Sequence, residues 1–172
     1  MSGATKILAA AGGKEDAVYV EDVFSTFVYT GTGATLAINN GIDLDGEGGM
    51  VWIKMRDGTH GHRLIDTERG ATKVLESYDT TAEATQSDGL TAFNSNGFSL
   101  GASGDGHTNN SGSDFVSWSF REAEGFFDIV KYTGNGSAQA ISHNLGSVPG
   151  MIIVKNLDSS TNWETYHRQL NG

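Results

Sequence analysis

The chain has 172 residues, enough for one sizeable domain or for one domain and part of another. Its formal net charge is −10, so it lacks the basic surface that general nucleic-acid binding requires, and an anionic membrane would repel it. It contains no cysteine, which excludes disulfides, thiolate nucleophiles and Cys-ligated metal sites. No apolar run is long enough for a transmembrane helix or a signal-peptide core. We therefore expect neither nucleic-acid binding nor membrane insertion.

The composition is typical of short β-strands joined by tight turns, because the chain has 24 Gly, one Pro and many Ser, Thr and Asn residues. The predicted strands, in chain order, are Phe24–Tyr29, Ala34–Asn39, Met50–Met55, Arg63–Thr67, Gly97–Leu100 and Phe115–Phe120. Residues 79–90 fit either a helical turn or a loop, and we favour the loop. Residues 101–113 are a polar loop with too few apolar side chains to pack. The pattern predicts an all-β fold, an antiparallel β-sandwich.

An internal repeat organises the chain. Tyr29–Gly33 (YTGTG) recurs 103 residues later as Tyr132–Gly136 (YTGNG), and Gly49–Lys54 (GMVWIK) recurs 101 residues later as Gly150–Lys155 (GMIIVK). A unit of about 100 residues is therefore present once in full, as a first sandwich at 23–124, and begins again at 125–172. Half a sandwich leaves its inner face uncovered. We expect either truncation of a longer protein, which we favour, or completion by another subunit.

Two segments carry residue types found in metal sites. Asp43–Glu47 (DLDGE) has closely spaced carboxylates, but it lacks the sixth-position Gly and the distant Glu of an EF-hand loop. We interpret it as a solvated acidic turn and leave Ca²⁺ binding open. His60 and His62 project to the same side of an extended chain, yet two ligands do not make a zinc site, and a surface loop is the favoured interpretation. The sequence predicts no metal and no cofactor.

For catalysis, Asp66 and Glu68 would share a face of a strand, as in some sandwich-type glycosidases. Such pairs are common on exposed strands, and neither a nucleophile elbow nor a P-loop occurs. We therefore expect no catalytic residues and no enzyme. Trp52 and Trp118 lie in apolar strands and are expected to pack in the core, whereas Trp163 lies in a polar stretch and is the better candidate for a contact surface.

Several strings carry a family resemblance: Tyr132–Gly136, His143–Lys155 and Tyr166–Arg168 in the second copy, and Arg69–Lys73, Phe93–Gly101 and Phe115–Trp118 in the first. They resemble repeated β-domains of tail-fibre and structural proteins of marine bacteriophages, including cyanophages and pelagiphages. The resemblance covers roughly residues 22–172 and implies jelly-roll or concanavalin-like sandwiches strung in series.

The resemblance also implies a function. It implies a virion structural protein, the N-terminal portion of a tail fibre, in which residues 1–22 form a virion-attachment arm and the first sandwich helps to anchor the fibre. The implied partners are other tail proteins, identical copies in a homotrimer, and a host surface glycan contacted by distal parts. The implied location is the tail appendage of a virion assembled in the host cytoplasm. The alternative is a carbohydrate-binding sandwich module, and a sandwich-type glycoside hydrolase is favoured less.

Overall fold

The structure is a computed structural model that describes residues 18–104 and 106–170. The short helix α1 (Val20–Val23) precedes the strands β1 (Phe24–Thr30), β2 (Leu36–Asn39), β3 (Gly49–Met55), β4 (Arg63–Asp66), β5 (Lys73–Val74), β6 (Ala84–Thr85), β7 (Leu90–Asn94), β8 (Gly97–Leu100), β9 (Asp114–Arg121), β10 (Met151–Val154) and β11 (Glu164–His167). All six predicted strands are present, with ends that differ by at most two residues. Residues 79–90 contain no helix, which confirms the loop over most of their length.

Two antiparallel sheets form the sandwich. One has the strand order β1-β9-β3-β4, and the sheet β2-β8-β7 packs against it. The central position of β9 matters most, because it pairs along nearly its whole length with β1 on one edge and with β3 on the other. Strands far apart in sequence therefore close the fold. The predicted all-β antiparallel sandwich is confirmed.

The core lies between the two sheets and follows the two-residue period of the strands. On β3, Val51, Ile53 and Met55 point inward, and Phe98 and Leu100 of β8 meet them from the opposite sheet. Burying a side chain of this size stabilises the fold by about 1.5–3 kcal/mol. The full set of buried apolar side chains in this cluster is Ile38, Ile42, Leu44, Val51, Ile53, Met55, Ile65, Val74, Leu90, Phe98, Leu100 and Phe115.

The described part of the loop at 101–113 packs against the sandwich, and the expectation that it could not was wrong. Its packing is polar: Thr108 and Asn109 are completely buried, and Ser103 is 3% exposed. The Asn109 side chain accepts a hydrogen bond from the Thr32 N–H and donates to the carbonyls of Ala34 and Gly101. Buried hydrogen bonds to backbone groups replace apolar contacts here, which a count of apolar residues does not detect.

The second copy of the repeat reproduces a hairpin of the first. In the β3–β4 pair Met50 lies opposite Asp66, and in the β10–β11 pair Met151 lies opposite His167, so each residue pair recurs at an offset of 101. The sequence repeat thus corresponds to a repeated local structure. The domain boundaries at 22/23 and 124/125 stay predictions, and residues 1–17 of the arm lie outside the described residues.

Candidate functional site

The outer side of the β1-β9-β3-β4 sheet carries large aromatic side chains. Trp52 and Trp118 lie opposite each other on β3 and β9, and both are partly exposed. The expectation that they pack in the core was wrong, because the alternation has the opposite phase. Ser117 and Ser119 take the inward positions of β9 and are completely buried. The Ser117 hydroxyl donates to the Phe27 carbonyl and the Ser119 hydroxyl accepts from the Asn40 amide, so both buried hydroxyl groups have partners.

The two indole rings form an ordered pair. Their centroids are 5.6 Å apart at 64°, an edge-to-face arrangement. The Trp52 indole N–H donates to Nδ1 of His62 at 2.8 Å, which holds the Trp52 ring in place. A histidine that accepts this bond is neutral, and burial, reinforced by the positive charge of Lys54, lowers the pKa of His62 below its usual 6.5. The result is a fixed, uncharged aromatic surface.

The aromatic surface continues along β1, β9 and the segment that follows β9. Phe24 and Phe120 lie 5.0 Å apart between ring centroids, and Phe127 lies 5.4 Å from Phe120. Phe126 is 39% exposed and lies parallel to Phe120. We call the set Phe24, Trp52, His62, Trp118, Phe120, Phe126 and Phe127 the outer aromatic face. Flat apolar rings with an exposed side can stack against the apolar faces of ligands, sugars included.

The carboxylates proposed for catalysis occupy different environments. Asp66 ends β4, is 5% exposed and holds Arg69 through the guanidinium Nε at 2.5 Å, while Glu68 lies exposed in the turn beyond the strand. They do not share a strand face. Glu122 was not singled out in the sequence, yet burial, together with the charges of Asp128, Glu68 and Asp66, raises its pKa to about 7. Because its neighbours come from separate segments, no local sequence signal could have identified it.

The two segments that carry metal-ligand residue types make contacts within the chain. The Asp43 carboxylate accepts the Gly46 N–H at 2.8 Å, and Glu47 lies 3.8 Å from the Arg121 guanidinium. His60 packs edge-on against His107, whereas His62 contacts Trp52, so the two imidazoles have different partners. Within residues 18–104 and 106–170, no group of three or more His, Asp or Glu side chains could hold a metal ion.

Trp163 forms a contact inside the chain. Its indole N–H donates to the backbone carbonyls of Glu76 at 3.2 Å and Asp79 at 2.9 Å. The Glu83 N–H bonds to the Leu157 carbonyl at 3.0 Å in the same region. The Trp163 indole therefore contacts the first sandwich, and its role in an external contact surface stays a prediction.

Comparison with known proteins assigns a family without a function. In the described part of the chain, no helix has the length and apolarity to cross a membrane. No curated protein and no solved structure matches the chain. The profile of one family matches residues 20–172, which includes the first sandwich and the β10–β11 hairpin. The chain therefore belongs to the DUF7483 family, a domain of unknown function.

Proposed function

We propose that the chain is a non-enzymatic virion structural protein, the N-terminal portion of a tail fibre that anchors the fibre to the tail and supports attachment to the host. The observation that carries the proposal is the recurrence of one hairpin, in the same register, 101 residues along the chain. Units repeated in series build elongated appendages, since each unit contacts only its neighbours. The resemblance of the repeated strings to marine-phage fibre proteins supports the same reading. The proposed partners are other tail proteins and two further copies of the chain.

The test is direct detection in particles. Virions of a phage that encodes this chain would be purified, then examined by mass spectrometry and by cryo-electron microscopy. We expect the chain at the tail, with density for a sandwich at the point of attachment. Absence from purified particles that are complete and infectious would overturn the proposal.

A deletion tests the role of the arm. Removing residues 1–17 leaves every described residue in place, so the sandwich should still fold, as judged by circular dichroism. We expect the shortened chain to be lost from particles while the full chain, expressed at the same level, is incorporated. Equal incorporation of both chains would contradict attachment through the arm.

Glycan binding is the second candidate function, and the outward position of Trp52 and Trp118 favours it. The test is a glycan array with the purified chain, followed by titration of any hit. We expect Trp118→Ala to weaken binding at least about tenfold, or about 1.4 kcal/mol, because the ring is the stacking surface. Trp163→Phe is the matched control, since Trp163 bonds to Glu76 and Asp79 instead. Equal losses in both variants would contradict a site on the outer aromatic face.

A further inference from the structure

The segment that leads from the first sandwich into the second unit stays attached to both. After β9, the rings of Phe126 and Phe127 lie against Phe120 on the outer aromatic face. The Gly125 N–H donates to the Leu145 carbonyl at 2.9 Å, which bonds the same segment to the second unit. The connection between the units is therefore packed and bonded along its length.

A second contact joins the β10–β11 loop to the β5–β6 loop of the first sandwich. At the end of the β10–β11 loop, the Trp163 indole N–H donates to the backbone carbonyls of Glu76 and Asp79. Near the start of that loop, the Leu157 carbonyl accepts the Glu83 N–H at 3.0 Å. Trp163 and Leu157 are partly buried, although most of the hairpin around them is exposed. The β10–β11 loop is thus bonded to both ends of the β5–β6 loop.

The β5–β6 loop is itself held firmly on the first sandwich. Glu76 forms an ion pair with Arg63, and Glu83 lies 3.6 Å from Arg69 and 3.7 Å from Lys73. The side chains of Arg63 and Arg69 are only 8% and 5% exposed, so these pairs fix the two ends of the loop to the body of the sandwich. The carbonyl groups that the indole bonds to are therefore positioned by the first sandwich.

The two contacts lie on different parts of the sheet. Phe120 is on β9, whereas the β5–β6 loop begins at Leu75, which pairs with Leu64 on the edge of β4 that faces away from β3. Three strand spacings separate the two places, which is about 14 Å at about 4.8 Å per strand. A unit can rotate about one contact, but two contacts at this separation fix its orientation.

The first unit has a different residue at the position of Trp163. Trp163 lies 101 residues after His62, and His62 accepts the Trp52 indole N–H inside its own sandwich. The two hairpins nevertheless have the same register. Because a hairpin of this type forms with histidine at that position, the hairpin itself does not require Trp163. Its place in the structure indicates that it serves the contact with the first sandwich.

We propose that the contact between the β10–β11 loop and the β5–β6 loop is a fixed joint that holds consecutive units in one orientation, with Trp163 as its anchor. The partner that the β5–β6 loop accepts is the next sandwich unit of the same chain. Domains in series move relative to each other by default, unless their interface holds them. An appendage built with such joints is stiff. As a joint in a fibre the inference rests on the proposed function, whereas the contact is tested in the isolated chain.

Hydrogen exchange of the full chain tests whether the joint is closed. The Glu83 amide should exchange slowly because it bonds to Leu157, and Trp163→Ala should speed its exchange at least about tenfold by opening the joint. The Gln86 amide is the internal control. It bonds to the Thr72 carbonyl at 2.8 Å within the first sandwich, so its exchange should not change.

Two controls separate the joint from the hairpin. Tyr166→Ala is the matched variant, because Tyr166 is an aromatic residue of the same hairpin and is 40% exposed. We expect it to leave the Glu83 amide protected. Ile152 pairs with Tyr166 across the hairpin, so unchanged exchange at Ile152 would show that the hairpin persists in Trp163→Ala.

Distances between spin labels measure the orientation of the units. The chain contains no cysteine, so Ser95→Cys and Met151→Cys provide one labelling site in each unit, and both positions are exposed. We expect a single narrow distance distribution, which Trp163→Ala broadens at least about twofold because the units can then rotate. Tyr166→Ala should leave the distribution narrow.

Three outcomes would overturn the proposal. One is a broad distribution in the chain that carries only the two labels. Another is wild-type exchange at Glu83 together with a wild-type distribution in Trp163→Ala. The third is the same distance in a mixture of chains that each carry one label, because the joint would then form between copies. None of these outcomes bears on whether the chain is found in virions, so the two proposals fail separately.

Discussion

Replacing the buried side chain of Asn109 should lower the stability of the first sandwich strongly. It is completely buried, and its amide bonds to the Thr32 N–H at 2.8 Å, the Ala34 carbonyl at 2.6 Å and the Gly101 carbonyl at 2.7 Å. A hydrogen bond contributes about 1 kcal/mol net, and a buried group left unpaired costs about 1–3 kcal/mol. Thr32 and Ala34 are exposed, so their backbone groups can regain water, whereas Gly101 is partly buried. We expect Asn109→Ala to lower the free energy of unfolding by about 3–4 kcal/mol.

Denaturant unfolding followed by tryptophan fluorescence measures this loss. The control is Asn110→Ala, because Asn110 is the exposed neighbour and its side chain bonds only locally, to the Ser113 hydroxyl. That variant should change stability by less than about 0.5 kcal/mol. Asn109→Asp should be at least as harmful as Asn109→Ala, since a carboxylate would face two carbonyl oxygens. A loss below about 1 kcal/mol in Asn109→Ala, or equal losses at Asn109 and Asn110, would refute the role assigned to this loop.

Three further predictions concern single side chains. Glu122→Gln should raise the Tm at pH 8 and leave it unchanged near pH 4. The pKa of Glu122 is about 7 in the folded chain against an ordinary 4.5, so the wild type loses stability as the pH rises from 4.5 to about 7. Glu68→Gln should lower the pKa of Glu122, which NMR titration would detect, and an unchanged value would contradict the charge coupling. Gly31→Ala should cost about 1–3 kcal/mol because its Cβ would lie 2.2 Å from the Asn110 carbonyl oxygen, while Gly134→Ala, with no atom within 4 Å, should be neutral in the same unfolding assay.

The positions of six strands were predictable from the sequence, but which face of β9 points inward was not. β9 alternates Ser117 and Ser119 with Trp118 and Phe120, and size alone favours the aromatic residues for the interior. The structure places the serines inside because a long-range bond, from the Asn40 amide to Ser119, satisfies the hydroxyl. Such partners lie 79 residues apart and leave no local signal.

Two other features of the structure, strand β7 and the raised pKa of Glu122, were also not predicted from the sequence. β7 (Leu90–Asn94) was missed because its apolar residues follow no simple alternation, and its pairing with β8 is irregular between Leu90 and Ala92. Glu122 acquires its raised pKa from neighbours brought together by the fold. By contrast, the repeat was visible because order-preserving matches, at offsets of 103 and then 101 residues, need no knowledge of contacts.

The repeat also separates what a hairpin determines locally from what its neighbours add. Lys54 and Lys155 occupy equivalent positions, and the ammonium group of each bonds to the carbonyl oxygens one and four residues further along. The register of the two hairpins is the same although one is buried and the other exposed. Register is therefore set by the strand and turn residues, and burial is not needed for it.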